Sequence, residues 1–254
     1  VYVLSERMEL IGELEEIAPD ETIYSTRFIG DRLYMVTFER IDPFFVIDLS
    51  NPRNPEILGE LKIPGFSDYL HPYDENHIIG IGKETGSNEW GGVTTKGVKL
   101  SLFDVSDVNN PEQIDTYQIG GRGTNSEALH EHKAFLFDKE KNILVLPIRE
   151  VDYDTPDTST NNYYGRYKVW QGAYAFGLTP EEGFELKGTI SHESYFDRDN
   201  HWYGSPNAVR RSLYMDDILY TISEAKILMH DINTIEEINE VELAKTKIRE
   251  YEKP

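Results

Sequence analysis

Apolar residues in this chain come in short runs, each cut off by a cluster of Asp, Ser, Asn or Pro. The stretch FFVIDLSNPRNPEILGELKIPG at 44–65 sets the rhythm, and LSLFDVSDVNNPEQIDTYQIGG at 100–121 repeats it. In the first copy the run stops at Asp48, followed by Ser50, Asn51, Pro52, Asn54 and Pro55. In the second it stops at Asp104, followed by Ser106, Asn110 and Pro111. Side chains of this kind bond nearby backbone amides, and proline cannot extend a β ladder, so a strand ends there. Past the stop, EILGELKI and EQIDTYQI alternate apolar and polar positions, as a half-buried strand does. Each phrase therefore predicts two antiparallel strands. Weaker copies stand at 174–190, with Thr179-Pro180 at the turn, and at 227–243, with Asp231 in the place of Asp48. At the N-terminus MELIGELEEI parallels PEILGELKIP, a degenerate further copy.

A hairpin pattern precedes each full copy: TRFIGDRLYMVTF (26–38), YLHPYDENHIIGIG (69–82), AFLFDKEKNILVLPI (134–148) and RSLYMDDILYTIS (211–223). Gly30-Asp31 and Asp74-Glu75-Asn76 are ordinary turn residues between such strands. The unit is thus four antiparallel strands, and such units in series predict an all-β fold, a β-propeller. The spacing places blades at 23–64, 66–120, 126–191 and 207–243, with loops at 83–97 and 151–167. Residues 1–19 read as the outer half of another blade, which predicts a longer propeller or a ring closed by the tail 244–254. By helix propensity the tail reads equally as a short helix.

Composition narrows the range of partners. A formal charge of −21 disfavours nucleic acid and anionic lipid, since phosphate binding needs a cationic face. With no cysteine, disulfides, thiolate metal sites and a cysteine nucleophile are excluded. No apolar run approaches the roughly 20 residues that span a bilayer.

The segments IYSTRFIGDRLYMVTFERIDPFFVIDLSNPRNPEILGELKIPGFSDYLHP, HEHKAFLFDKEKNILVLPI and RRSLYMDDILYTIS resemble the secreted proteins with a C-terminal β-propeller domain of archaea and some bacteria. The resemblance covers nearly the whole chain. It implies a propeller and an extracellular or cell-surface location, and it supplies no catalytic residues. An export signal is then expected upstream of Val1.

Candidate chemistry lies in four places. In ALHEHKAF, His130 and His132 would share a strand face at the channel mouth, where two imidazoles could hold a transition metal such as zinc. His71, His192 or His201 could complete that set. The plainer reading makes the pair hydrogen-bonded channel residues. Asp152, Asp154 and Asp157 offer hard oxygen ligands suited to calcium, although the EF-hand pattern is absent; otherwise they are a solvated loop. The pair Asp197 and Asp199, with Asn200, is a weaker case of the same kind. Arg210 and Arg211 precede an innermost strand and could bind an anion, or pair with acidic residues of a neighbouring blade. Tyr163, Tyr164, Tyr167, Trp170 and Tyr174 could form a carbohydrate or protein platform, or pack between blades.

No nucleophile elbow or phosphate loop is present. The expected role is a non-catalytic extracellular binding or scaffold module for a protein or carbohydrate, with self-association of an open ring as a further expectation. The alternative is a metal-dependent hydrolase or lyase working around His130 and His132.

Overall fold

The computed structural model describes residues 1–38, 42–87, 92–152, 168–193 and 205–243. Among these the chain is all-β: one two-stranded hairpin, then four four-stranded antiparallel sheets in series. The hairpin pairs β1 (Tyr2–Leu4) with β2 (Leu10–Glu13). The first sheet holds β3 (Thr22–Ile29), β4 (Arg32–Phe38), β5 (Asp42–Asp48) and β6 (Glu56–Ile63). The second holds β7 (Phe66–Pro72), β8 (His77–Ser87), β9 (Val93–Asp104) and β10 (Glu112–Ile119). The third holds β11 (Leu136–Asp138), β12 (Ile143–Asp152), β13 (Lys168–Thr179) and β14 (Gly183–Ile190). The fourth holds β15 (Arg211–Met215), β16 (Ile218–Ile222), β17 (Lys226–Asp231) and β18 (Glu237–Glu242). Each is a meander in which strands adjacent in sequence are adjacent in the sheet, the arrangement of propeller blades. No helix among the described residues is long and apolar enough to cross a membrane.

The middle strands read as unbroken apolar runs because both faces of each blade are covered. On β4 and β5, Tyr34, Val36, Phe44 and Val46 meet Leu70, Ile78, Phe103 and Val105 of the second blade. The intervening Leu33, Met35, Phe45 and Ile47 point the other way, onto Val1, Leu14, Ile17 and Ala18 of the N-terminal segment. This is the two-residue side-chain period of a strand put to use on two interfaces at once. Phe44 and Phe103 stack across the first interface with ring centroids 4.6 Å apart. Equivalent clusters join the second blade to the third through Ile79, Leu102, Leu144 and Phe176, and the third to the fourth through Val145, Ala175, Leu219 and Leu228.

The turn residues behave as their chemistry requires. Asp48 accepts hydrogen bonds from the Ser50 amide at 2.9 Å and the Ser50 hydroxyl at 2.8 Å. Asp104 accepts from the Ser106 amide at 2.8 Å, and Asp231 from the Asn233 amide at 2.9 Å. Outer strands carry a small or capping residue where they touch the next blade's turn. A Cβ on Gly12 would lie 2.3 Å from the Pro52 carbonyl oxygen, and one on Gly59 would lie 2.4 Å from that of Val108. Asp115 holds the equivalent position in the second blade and accepts from the Phe184 amide at 2.7 Å.

Two expectations need correction. Residues 83–97 are mostly strand, because β8 and β9 run on past their neighbours and pair through Thr85–Thr95 and Ser87–Val93. His130 and His132, expected on one strand face, do not lie on a strand. Two 3-10 turns, Glu127–Leu129 and His132–Ala134, occupy that place, and β11 is three residues long. Local capping is the reason: the Ser126 hydroxyl accepts from the Ala128 amide and the Glu131 carboxylate from the Lys133 amide.

Candidate functional site

The 3-10 turns position the most developed site. They lie against β12 and, with the segment leading into β15, enclose a cavity of about 230 Å³ between the third and fourth blades. Pro147, Ile148, Ala208 and Val209 give it apolar walls; Glu127, His130, Glu131 and Arg210 give it a polar rim. Ser126 fixes one wall, donating from its hydroxyl to the Pro147 carbonyl at 2.6 Å. Asn125 and Arg149 form a backbone bridge beside it. Glu127 is clamped by two guanidiniums: Arg210 Nη1 bonds one carboxylate oxygen, and Arg211 Nη1 reaches the other at 3.2 Å. Glu131 stands 3.8 Å from Arg211 Nη2. Gln171, on β13, is 7% exposed and contributes to the cavity, and its side-chain Oε1 has no hydrogen-bond partner among the described residues.

A second polar group adjoins this one through His130. Asp68, half-buried on β7, has its carboxyl pushed up to about 6 by burial, against the pull of His130 and Lys83. Burial brings the Lys83 ammonium down to about 8, opposed by Asp68. Lys83 donates to the Thr124 carbonyl and, at 3.2 Å, to Asn125 Oδ1. His71 is held neutral down to about 4, first by burial and then by the charge of Arg27. Its Nδ1 lies 3.0 Å from the Tyr69 hydroxyl, and the Arg27 Nε is buried without a partner among the described residues. Asp68 and Lys83 of the second blade thus sit half-desolvated beside Arg27 of the first.

A model of the β-propeller domain family matches residues 1–235. The chain belongs to that family. An uncharacterized protein of Archaeoglobus fulgidus is 38% identical over 243 residues, covering 96% of this chain and 31% of that protein. One from Methanocaldococcus jannaschii is 32% identical over 242 residues, covering 95% of this chain and 32% of that protein. The chain therefore spans about a third of the length of these relatives. Among solved structures, Citrobacter koseri AztD aligns at TM-score 0.45 and 14% identity, covering 87% of this chain and 47% of that one. The Swd1 β-propeller domain of Myceliophteria thermophila aligns at TM-score 0.43 and 11% identity, covering 89% of this chain and 62% of that one.

Within this β-propeller domain the residues singled out from sequence fall apart in space. His130 and His132 are exposed and lie on the 3-10 turns, not on one strand face. His132 stacks on Tyr69 with centroids 6.4 Å apart, while His130 borders the cavity. His192 follows β14 and is buried against the fourth blade, its Nδ1 2.9 Å from Ser223 Oγ and its Nε2 2.9 Å from Thr221 Oγ1. Among the described residues no three His, Cys, Asp or Glu side chains converge as a metal site. Asp152 ends β12, whereas Asp154, Asp157, Asp197, Asp199, Asn200, His201, Tyr163, Tyr164 and Tyr167 lie outside the described residues. Arg210 and Arg211 reach the neighbouring blade as ion-pair partners of Glu127. Trp170 and Tyr174 pack edge to face at 5.3 Å, and the Tyr174 hydroxyl donates to Glu150 at 2.7 Å.

Sequence reasoning missed Gln171, Asp68 and Lys83. Each is a polar residue in a strand-like stretch. The one signal available was a Gln between Trp170 and Gly172 in an otherwise core-forming run.

Proposed function

We propose that this propeller is a non-catalytic binding or scaffold module, exported or displayed at the cell surface, that takes its ligand where the third and fourth blades meet. The observation that carries the reading is the cavity. It combines apolar walls with a rim whose charges, Glu127 against Arg210 and Arg211, are committed to one another. A concave site that brings apolar walls and convergent polar groups together is where a ligand is expected. Of the two carboxylates that line it, Glu127 is held by two guanidiniums and Glu131 stands 3.8 Å from one of them. The extracellular setting follows from the family resemblance seen in the sequence.

The test is a thermal-shift screen of peptides, glycans and metal ions, paired with turnover assays on model esters, glycosides and polyuronates with added zinc or manganese. The reading expects at least one saturable ligand, lost in Ala208→Trp, and no turnover. Turnover that disappears in His130→Ala would replace it with the hydrolase or lyase alternative.

A further inference from the structure

Arg27 is a cation that the fold leaves without a partner. It stands on β3, the innermost strand of the first blade, directly opposite Tyr34 of β4. Tyr34 is fully buried in the core between the first and second blades. Side chains opposite one another in an antiparallel pair share a face, so Arg27 lies toward the second blade, at the inner end of that boundary. Its Nε is buried, which pins the side chain. Its two Nη nitrogens are not enclosed in this way, and they make no hydrogen bond or ion pair among the described residues.

A shortage of carboxylates is not the reason, since Asp and Glu number 46 against 25 Lys and Arg. Other half-buried cations near the inner strands are committed: Arg210 and Arg211 bond Glu127, and Lys83 donates to Thr124 and Asn125. Across the boundary from Arg27 stand Tyr69 and His71 of β7, and the Ser25 hydroxyl ties the two inner strands by donating to the Ser67 carbonyl at 2.6 Å. Burial raises the Tyr69 hydroxyl against the pull of Arg27, and it keeps the His71 imidazole neutral at pH 7 with help from the same charge. Neither group neutralises the guanidinium. Asp68, on the same strand, forms no ion pair with it; burial, His130 and Lys83 govern that carboxyl.

An unpaired guanidinium held in place presents parallel N–H donors that match the two oxygens of a carboxylate. Half-burial favours a single charge over a double one, because desolvating an ion is costly, and the Asp68 carboxylate nearby repels a second negative charge. We propose that Arg27 anchors an anion site at the inner end of the boundary between the first and second blades, where Nη1 and Nη2 take a singly charged carboxylate beside His71. The site is separate from the cavity of the third and fourth blades. Its ligand is a small acid or the C-terminus of a peptide, which share this chemistry.

The test titrates acetate, penta-alanine, its C-terminal amide and inorganic phosphate into the chain at constant ionic strength, following the ring signals of His71 and Tyr69 by NMR. Saturable shifts are expected for acetate and penta-alanine, with phosphate about tenfold weaker and the amide silent. Tighter binding of penta-alanine than of acetate assigns the site to a peptide terminus, and equal binding assigns it to a small acid. Arg27→Gln should remove the shifts while thermal unfolding stays cooperative. Arg27→Lys, which keeps the charge and loses the fork, should weaken acetate about tenfold, and it decides the matter if Arg27→Gln does not fold. Saturating acetate should also raise the pH at which His71 protonates, since the bound carboxylate offsets the charge of Arg27. Shifts from acetate as large in Arg27→Gln as in the native chain would overturn the proposal. So would phosphate or chloride acting as readily as acetate, or no saturable shift from either carboxylate.

Discussion

Asp68 shows how single residues record the setting the fold imposes on them. In the unfolded chain its carboxyl ionises near 3.8, and in the folded chain near 6. Between those values the native state holds a proton that the unfolded state has lost, so this group's contribution to stability falls as pH rises from about 4 to about 6. Lys83 acts in the opposite sense. Its value drops from 10.5 to about 8, so the unfolded state binds more protons between them and stability rises with pH across that span. At pH 7 both groups are charged and half-buried. Asp68→Asn is therefore expected to raise the Tm at pH 7 by roughly 2–4 °C, the shift that about 1 kcal/mol produces in a domain of this size, and to change little at pH 4. A fall in Tm at pH 7 would mean that the attraction of Asp68 for Lys83 outweighs its burial.

Strands and turns follow a rule that repeats from blade to blade. In the first and second blades the fourth residue of the outer strand faces the turn of the next blade: Gly59 does so against Val108 and Asn109, and Asp115 accepts from the Phe184 amide. Gly59→Val should destabilise the chain by about 1–3 kcal/mol in urea titration, because the new Cβ meets a backbone carbonyl that cannot withdraw. Asp115→Ala should cost a similar amount by leaving the Phe184 amide without its acceptor. If both variants unfold like the native chain, these contacts do not set the spacing between blades. The four hairpins and the Asp-Ser-Pro stops were legible in the sequence, since alternation and turn chemistry act over a few residues. The 3-10 turns at His130 and His132 were not legible, because an apolar-polar alternation such as ALHEHKAF fits a strand equally well until Ser126 and Glu131 cap it.

Across the whole molecule the formal charge of −21 works against compaction. Ion pairs such as Lys99 with Glu84, at 3.2 Å, offset it only locally. Raising sodium chloride from about 20 mM to about 300 mM should increase the Tm, because the Debye length falls below the spacing of most surface carboxylates. A decrease would show that the internal pairs dominate. At the same scale, the inner strands of the first and fourth blades carry Phe28 at 64% and Met215 at 55% exposure, whereas the middle strands between them are covered on both faces.

Hydrophobic period, turn residues and the repeat of Asp48 at Asp104 and Asp231 determined that this chain forms four-stranded blades in series, because each depends on neighbours only a few positions away. The cavity was decided by tertiary structure alone. Its walls come from residues as far apart as Asn125 and Arg210, and they meet only because the third blade packs against the fourth. Whether a polar residue such as Gln171 ends in solvent or buried at 7% exposure depends on that packing, and no local pattern carries it.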